Sequence, residues 1–418
     1  MNAQDEGQFL MTRTSRNPGS AGHMASGGGG TGVPGWLVLL LAVSTGLTVA
    51  NLYYAQPLLS QLSAVFHIGE ATAGALITVT QIGYVIGMLF LVPLGDRIEK
   101  RRLITILLSV TTVALVVAGL ATNFPVLLVA SLFSGATSVV AQILVPMAAG
   151  MAPDYSRGRV VGRVMSGLLT GILLSRTVSS LVSDVAGWRA VYLGSAALMA
   201  VLAVVLSRVL PRHAATTDLP YHHVLRSTVG FVRTHPVLLR RGLYQAAMFG
   251  AFSAFWTAIS FVLTGPGYHY SAVGIAVFAL VGAVGAAIAP LAGKWADHGL
   301  TRPVTGAAFA VAGISFAVAG FGQHHVIFLA LAAILLDMAV QTSLITGQHA
   351  IYKLDPQARA RINSAFIAIF FTGGAIGSAV GSLAYRAAGW SALCAFGGLL
   401  SAAALLYWLT ERKTAPAQ

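Results

Sequence analysis

The chain has 418 residues, of which 56% are hydrophobic and only 9% charged, and its mean hydropathy is +0.79. A soluble domain carries about 25% charged residues, so this composition excludes a soluble globular fold and belongs in a bilayer. The net charge of +13 would suit a nucleic-acid partner, but the positions of the charges point elsewhere. Apolar runs long enough to cross the hydrocarbon as helices, roughly 20 residues each, recur about twelve times between Trp36 and Leu409. With twelve spans and both ends on one side, every Lys and Arg among the 25 except Arg176, Arg189 and Arg386 falls on that side. This is the positive-inside pattern: the basic charge reports topology, and no nucleic acid is expected.

The spacing predicts an all-α membrane protein of twelve transmembrane helices in two pseudo-symmetric six-helix bundles. The runs are too long and continuous for the alternating strands of an outer-membrane barrel. The expected layout is a tail over 1–34, a first bundle over 35–210, a cytoplasmic linker over 211–241, a second bundle over 242–410 and a tail over 411–418. Both termini are expected in the cytoplasm, with the chain in the inner or plasma membrane.

Residues 1–34 are rich in Gly and Ser, a composition expected to be disordered. Helix 1, roughly 36–59, is read as retained, since its apolar run is too long for a signal peptide. Its outer half reads NLYYAQP, and Pro57 is expected to weaken the last turn. Asn51 and Tyr54 are three apart and share a helix face. They fit either a cavity lining or hydrogen bonding between helices. Helix 2, roughly 72–92, carries Gln81 and Tyr84 on one face and Gly83 and Gly87 on another, the glycines for close packing. A charged turn follows, with Asp96, Arg97, Lys100 and Arg101. Helix 3 is roughly 103–122, and helix 4, roughly 125–151, contains Gln142 and Pro146.

Helix 5 begins at a basic cluster, Arg157, Arg159 and Arg163, and runs to Gly187-Trp188. Its layout returns 202 residues later, where Arg359, Arg361, Gly373, Gly377, Gly381 and Gly389-Trp390 match Arg157, Arg159, Gly171, Ser175, Ser179 and Gly187-Trp188. That regularity indicates a duplication. The small residues at i, i+4 and i+8 are expected to let the halves pack and slide. Arg176 is not repeated, because Ser378 stands in its place.

After helix 6, roughly 188–210, the segment Leu219 to Arg241 has the apolar spacing of an amphipathic surface helix. The adjacent His222 and His223 point apart on such a helix, and no metal site is expected. Helix 7, roughly 243–264, offers Tyr244 and the aromatic stripe Phe249, Phe252 and Trp256. Helix 8, roughly 270–292, ends in a turn with Gly293 and Asp297, and Asp297 follows Asp96 by 201 residues. Helices 9 to 12 are roughly 303–322, 326–350, 362–385 and 389–410. The single cysteine, Cys394, excludes an internal disulfide.

Two six-helix halves, a central cytoplasmic connection and a charged turn after helices 2 and 8 resemble the major facilitator superfamily over residues 36–410. The family's turn motif is kept at Asp96, Arg97, Lys100 and Arg101 in the first copy and at Gly293 and Asp297 in the second; Val92, Glu99 and His298 depart from it. The resemblance implies that this turn is a conformational latch rather than a substrate site, and that the chain is a monomer. Within the family, the NLYYAQPLL stretch and the helix 5 layout look most like drug:proton-antiporter exporters. Gly171 of the export-associated motif is present, but Arg176-Thr177 stand where its proline is expected.

Two charges lie at membrane depth: Arg176, nearer the outer third, and Asp337, near the middle of helix 10. Each costs about 2.5–3.5 kcal/mol at a helix centre on insertion scales, so pairing, hydration or use is expected. Asp337 is expected to respond to a proton or cation, with Arg176 setting its charge state or binding anionic groups of the cargo; a permanent structural ion pair is the alternative. The guanidinium favours the charged carboxylate and desolvation the neutral one. Gln341 shares a face with Asp337, and Gln348 follows. With Asn51, Tyr54, Gln81, Tyr84, Gln142, Tyr244, Phe252 and Trp256 these are the expected cavity residues. No phosphate-cradling loop, zinc-protease helix or nucleophile elbow is present, so neither an enzyme nor an ATP-driven pump is expected. No cofactor or metal is expected, the coupling ion being a proton. The expected function is proton-coupled export of a small organic molecule, with proton-coupled import or facilitation as the alternative. A receptor or assembly protein would need large outer domains, and none is encoded.

Overall fold

This computed structural model describes residues 33–153, 155–211, 221–323, 325–354 and 359–411. The described residues are almost entirely helical. Among the described residues, eight helices are long and apolar enough to cross a membrane, and two of them, Arg157–Val209 and Arg359–Leu409, are each a pair of spans broken at a glycine. The shorter apolar helices Gly35–Ala50 and Ala272–Gly282 complete twelve spans. We number them as follows. Span α1 is Gly35–Ala50 continued, past a 3-10 turn at Gln56–Leu58, by Leu59–Phe66. Then come α2 (Glu70–Gly95), α3 (Lys100–Gly119), α4 (Phe124–Met151), α5 (157–186) and α6 (188–209). The second half has α7 (Pro236–Thr264), α8 (272–297), α9 (Thr301–Gly320), α10 (Val326–Ile351), α11 (359–387) and α12 (390–409).

The duplication read from the sequence is a duplication of backbone geometry. Gly187 has φ 79° and ψ 164°, and Gly389 has φ 70° and ψ −158°, a region that is essentially closed to residues with a Cβ. Each glycine turns the chain from one span into the next. The tryptophan that follows is buried in both halves, and Trp390 donates from Nε1 to the Ala319 carbonyl at 2.7 Å.

The ladders of small residues pack inside each half, not between halves as expected. A Cβ on Gly171 would lie 2.2 Å from the Gly46 carbonyl oxygen, and one on Gly373 would lie 2.2 Å from that of Ala246. These contacts bring α5 onto α1 and α11 onto α7. Ser179 adds a hydrogen bond to the Tyr54 carbonyl at 2.7 Å. The seam between the halves runs instead along α2 against α11 and α5 against α8, and it is dotted with hydroxyls. Thr78 and Ser378 share a hydrogen bond of 2.7 Å, and Thr177 donates to the Ala276 carbonyl at 3.2 Å. Tyr84 packs on Phe371 with ring centroids 4.3 Å apart.

The linker helix is Tyr221–Thr234, shorter than the expected Leu219–Arg241. His235 leaves the helical region at ψ 89° ahead of Pro236, because a residue before proline is pushed toward extended backbone. Pro236 then starts α7, and Arg240 and Arg241 belong to that span. Leu219 and the side chains of His222 and His223 lie outside the described residues. The Tyr221 hydroxyl donates to the Phe90 carbonyl, and the Arg361 guanidinium lies over Phe231, so the helix bridges the ends of α2 and α11. On the same face Glu411 gathers three elements. It pairs with Arg241 at 2.6 Å, accepts from Tyr244 at 3.2 Å and takes Arg302 on its carbonyl at 3.1 Å.

Candidate functional site

Both membrane-depth charges reach the seam. Arg176 is 2% exposed and Asp337 is 5% exposed. Arg176 donates from Nε to Gln56 Oε1 at 2.7 Å. Its guanidinium stacks on Trp256 at 4.0 Å from the ring centre, with Phe252 at 5.1 Å and Tyr53 at 5.4 Å. A cation held against aromatic faces in a desolvated site gains about 2 kcal/mol or more, which offsets much of its burial cost.

Arg176 and Asp337 form no ion pair; those among the described residues join Arg241 to Glu411 and His349 to Asp297. Trp256 stands between them. A Cβ added to Gly282 of α8 would fall 2.5 Å from the Trp256 ring and 2.6 Å from Asp337 Oδ2, so the absence of a side chain there makes room for both. The arrangement is a swap across the duplication. At the 202-residue offset, Gly282 and Asp337 correspond to Thr80 and Gly135. In the first half it is Gly135 that must be small, since a Cβ there would lie 2.1 Å from the Thr80 carbonyl oxygen. The same packed crossing carries a carboxylate in one half and none in the other.

Several buried polar atoms around this centre have no hydrogen-bond partner: Gln56 Nε2, Arg176 Nη2 and Ser260 Oγ; the Trp256 indole N–H has the Asp337 carboxylate as its neighbour, short of a well-formed hydrogen bond. Unpaired buried polar groups are costly. At this cluster a water, an ion or a polar group of a ligand would find free donors. A chamber of about 10 Å³, room for one water, is lined by Gln56, Arg176, Trp256, Ser260 and apolar neighbours. Pro57 and Ile275 line both this chamber and a vestibule of about 450 Å³ on the face opposite the linker. A larger cavity, about 640 Å³, is a groove on the outer side of α1 and α5. It does not touch Arg176 or Asp337.

The other expected residues divide. Gln81 donates to Ser253 at 2.9 Å across the seam, and Gln142 donates to the Tyr84 hydroxyl at 3.1 Å. Phe252 and Trp256 hold Arg176, as described. Gln341 is half-buried one turn beyond Asp337, and Gln348 donates to Asn363 at 3.3 Å within its own half. Asn51, Tyr54 and Tyr244 point away from the centre. Asn51 accepts from Ser195 of α6 at 2.6 Å, Tyr54 lines the groove on the outer side of α1 and α5, and Tyr244 faces Tyr407 and Glu411. The expected cavity face of α1 requires regular helix from Asn51 onward. Residues 51–55 are turns and 56–58 are 3-10, so the phase shifts and Tyr53 and Gln56 face the seam instead. Gln56, Ser260 and Gly282 belong to the centre without being expected from the sequence, and the only signal for them is a polar or small residue within an apolar span.

Of the turn residues, Arg101 donates to the Leu210 carbonyl at 3.3 Å, and Asp297 lies 3.4 Å from His349 of its own half. Arg97, Lys100 and Gly293 stand at the same face; the side chain of Asp96 is outside the described residues.

Two six-span halves facing each other across a polar, charge-bearing seam define a membrane transporter fold. The chain belongs to the Major Facilitator Superfamily, whose model matches residues 41–352. It is 38% identical over 372 residues to the Escherichia coli O157:H7 protein named uncharacterized transporter YgaY, covering 89% of this chain and 94% of that one. Among solved structures it is similar to the nucleoside transporter NupG, at TM-score 0.72 and 15% identity, covering 89% of this chain and 99% of that one. It is also similar to a D-xylose–proton symporter, at TM-score 0.71 and 15% identity, covering 90% and 97%. The chain is thus a multi-pass membrane transporter, not an enzyme.

Proposed function

We propose that this chain is a proton-coupled secondary transporter of small organic molecules, working as a monomer by alternating access in the cell membrane. The placement of Arg, Lys and the linker helix supports a cytoplasmic linker face. The observation that carries the reading is Asp337, a buried carboxylate with no ion-pair partner and only the Trp256 indole N–H near it, close to a buried guanidinium that does not pair with it. Protonation changes the cost of holding that carboxylate in a closed, dry seam, so the proton and the rocking of the halves become linked. Export by exchange for protons, the sense expected from the sequence, operates where cargo and proton compete for Asp337. Co-transport of proton and cargo is the second reading, favoured by the unpaired donors of Gln56 and Arg176. The turn residues Asp96, Arg97, Lys100 and Arg101, with Gly293 and Asp297, act as a latch on the cytoplasmic face.

The test is uptake of labelled anionic, neutral and cationic aromatic compounds into proteoliposomes under imposed pH gradients, read against protein-free vesicles. An acid interior driving accumulation means exchange, and an acid exterior driving it means co-transport. Full gradient-driven accumulation by Asp337→Asn would remove Asp337 from the mechanism.

A further inference from the structure

We infer that the chamber beside Arg176 is a carboxylate subsite and that the cargo is an organic acid. This rests on the reading above that the seam carries the cargo. The chamber is lined by Gln56, Arg176 and Ser260 as polar residues and by Trp256, Ile259 and Phe278 among the apolar ones. All three polar residues are at most 2% exposed. The amide nitrogen of Gln56, Nη2 of Arg176 and the hydroxyl of Ser260 have no hydrogen-bond partner. Two of these atoms can only donate, and the third can donate. The hydrogen bond from Arg176 Nε to Gln56 Oε1 occupies the acceptor of that amide and leaves its N–H groups free.

A donor-only chamber beside a guanidinium accepts an anionic oxygen and rejects an ammonium, which would meet a like charge and no acceptor but a hydroxyl. Planar carboxylates match the fork of Arg. The seam is closed here to room for one water. A carboxylate passing Pro57 and Ile275 would therefore leave the rest of the molecule in the vestibule, which is of ligand size and is lined by Ser60, Gln61, Ser183, Asp184 and Thr264 beside those two residues. Asp337 does not line the chamber, but its charge acts on Arg176. The cargo anion and ionised Asp337 thus compete for one guanidinium. Neutralising Asp337 strengthens anion binding, which links proton and acid in the same direction.

The experiment is isothermal titration of the purified full chain with benzoate, benzyl alcohol and benzylamine, which share a ring and differ in charge, at a pH where benzoate is ionised. A charge-assisted hydrogen bond is worth about 1.5–3 kcal/mol, so benzoate should bind about tenfold or more tighter than the other two. Arg176→Gln should bring benzoate to the level of benzyl alcohol, Gln56→Leu should weaken it by a smaller factor, and Asp337→Asn should tighten it. The charge series on the unmodified chain stands whether or not a variant folds. Equal binding of the three compounds, tighter binding of benzylamine, or loss of benzoate in Asp337→Asn would overturn the proposal. Benzoate binding with no response to a pH gradient would leave the subsite standing and remove the proton coupling. Gradient-driven transport of a cation without benzoate binding would do the reverse.

Discussion

Gly282→Ala isolates the centre of the site with one methyl group. The added Cβ would lie 2.5 Å from the Trp256 ring and 2.6 Å from Asp337 Oδ2, so one or both side chains must turn. Overpacking of this kind costs about 1–3 kcal/mol. Replacing a helical glycine by alanine returns about 1 kcal/mol, so the net loss of stability is about 0–2 kcal/mol. Gly285→Ala, three residues on, meets the Ile334 carbonyl oxygen at 2.3 Å. That is backbone, which cannot rotate aside, so this variant should be the less stable of the two. Gly194→Ala has nothing within 4 Å and serves as the neutral control. Thermal unfolding in detergent with tryptophan emission should rank the unfolding temperatures Gly194→Ala, Gly282→Ala, Gly285→Ala from high to low. Emission should change in Gly282→Ala, where Trp256 moves, and not in Gly194→Ala. A Gly282→Ala protein with unchanged emission and unchanged proton-coupled transport would refute the claim that this contact sets Trp256 and Asp337.

Arg176→Leu loses aromatic contacts worth about 2 kcal/mol and a hydrogen bond of about 1.5–3 kcal/mol, but it removes a burial cost of about 2.5–3.5 kcal/mol. The net loss is about 0–2.5 kcal/mol, so its unfolding temperature should fall only modestly while transport is lost. Gly187→Ala and Gly389→Ala, read by the same unfolding assay, should each cost about 1–3 kcal/mol, and by similar amounts because the two kinks are one motif used twice. The pair Thr78→Cys and Ser378→Cys, placed where the hydroxyls are 2.7 Å apart and made with Cys394→Ser, should cross-link α2 to α11 and stop transport until a reductant is added. Glu411→Ala leaves the buried Arg241 without its partly exposed partner; losing a hydrogen bond to a charged group costs about 1.5–3 kcal/mol, which thermal unfolding should show as a lower midpoint.

Much of this protein is settled by composition and by the 202-residue repeat. The bilayer dictates helices because no other open structure satisfies the backbone there, so twelve apolar runs lead directly to twelve spans. Gly187 and Gly389 matched in sequence because only glycine tolerates their backbone angles. Arg176 and Asp337 stood out as residues too costly to keep without a use. What the sequence could not decide was which face each span presents. Periodicity counted from Asn51 failed at the turn before Pro57, and so Asn51 and Tyr54 were placed at the centre instead of Tyr53 and Gln56. The glycine ladders read alike whether they pack within a half or between halves, and only the tertiary contacts with Gly46 and Ala246 show that they pack within. The tertiary structure alone placed Trp256 between the two charges and Gly282 beneath it, because that arrangement depends on four spans from both halves meeting at one depth, far apart along the chain.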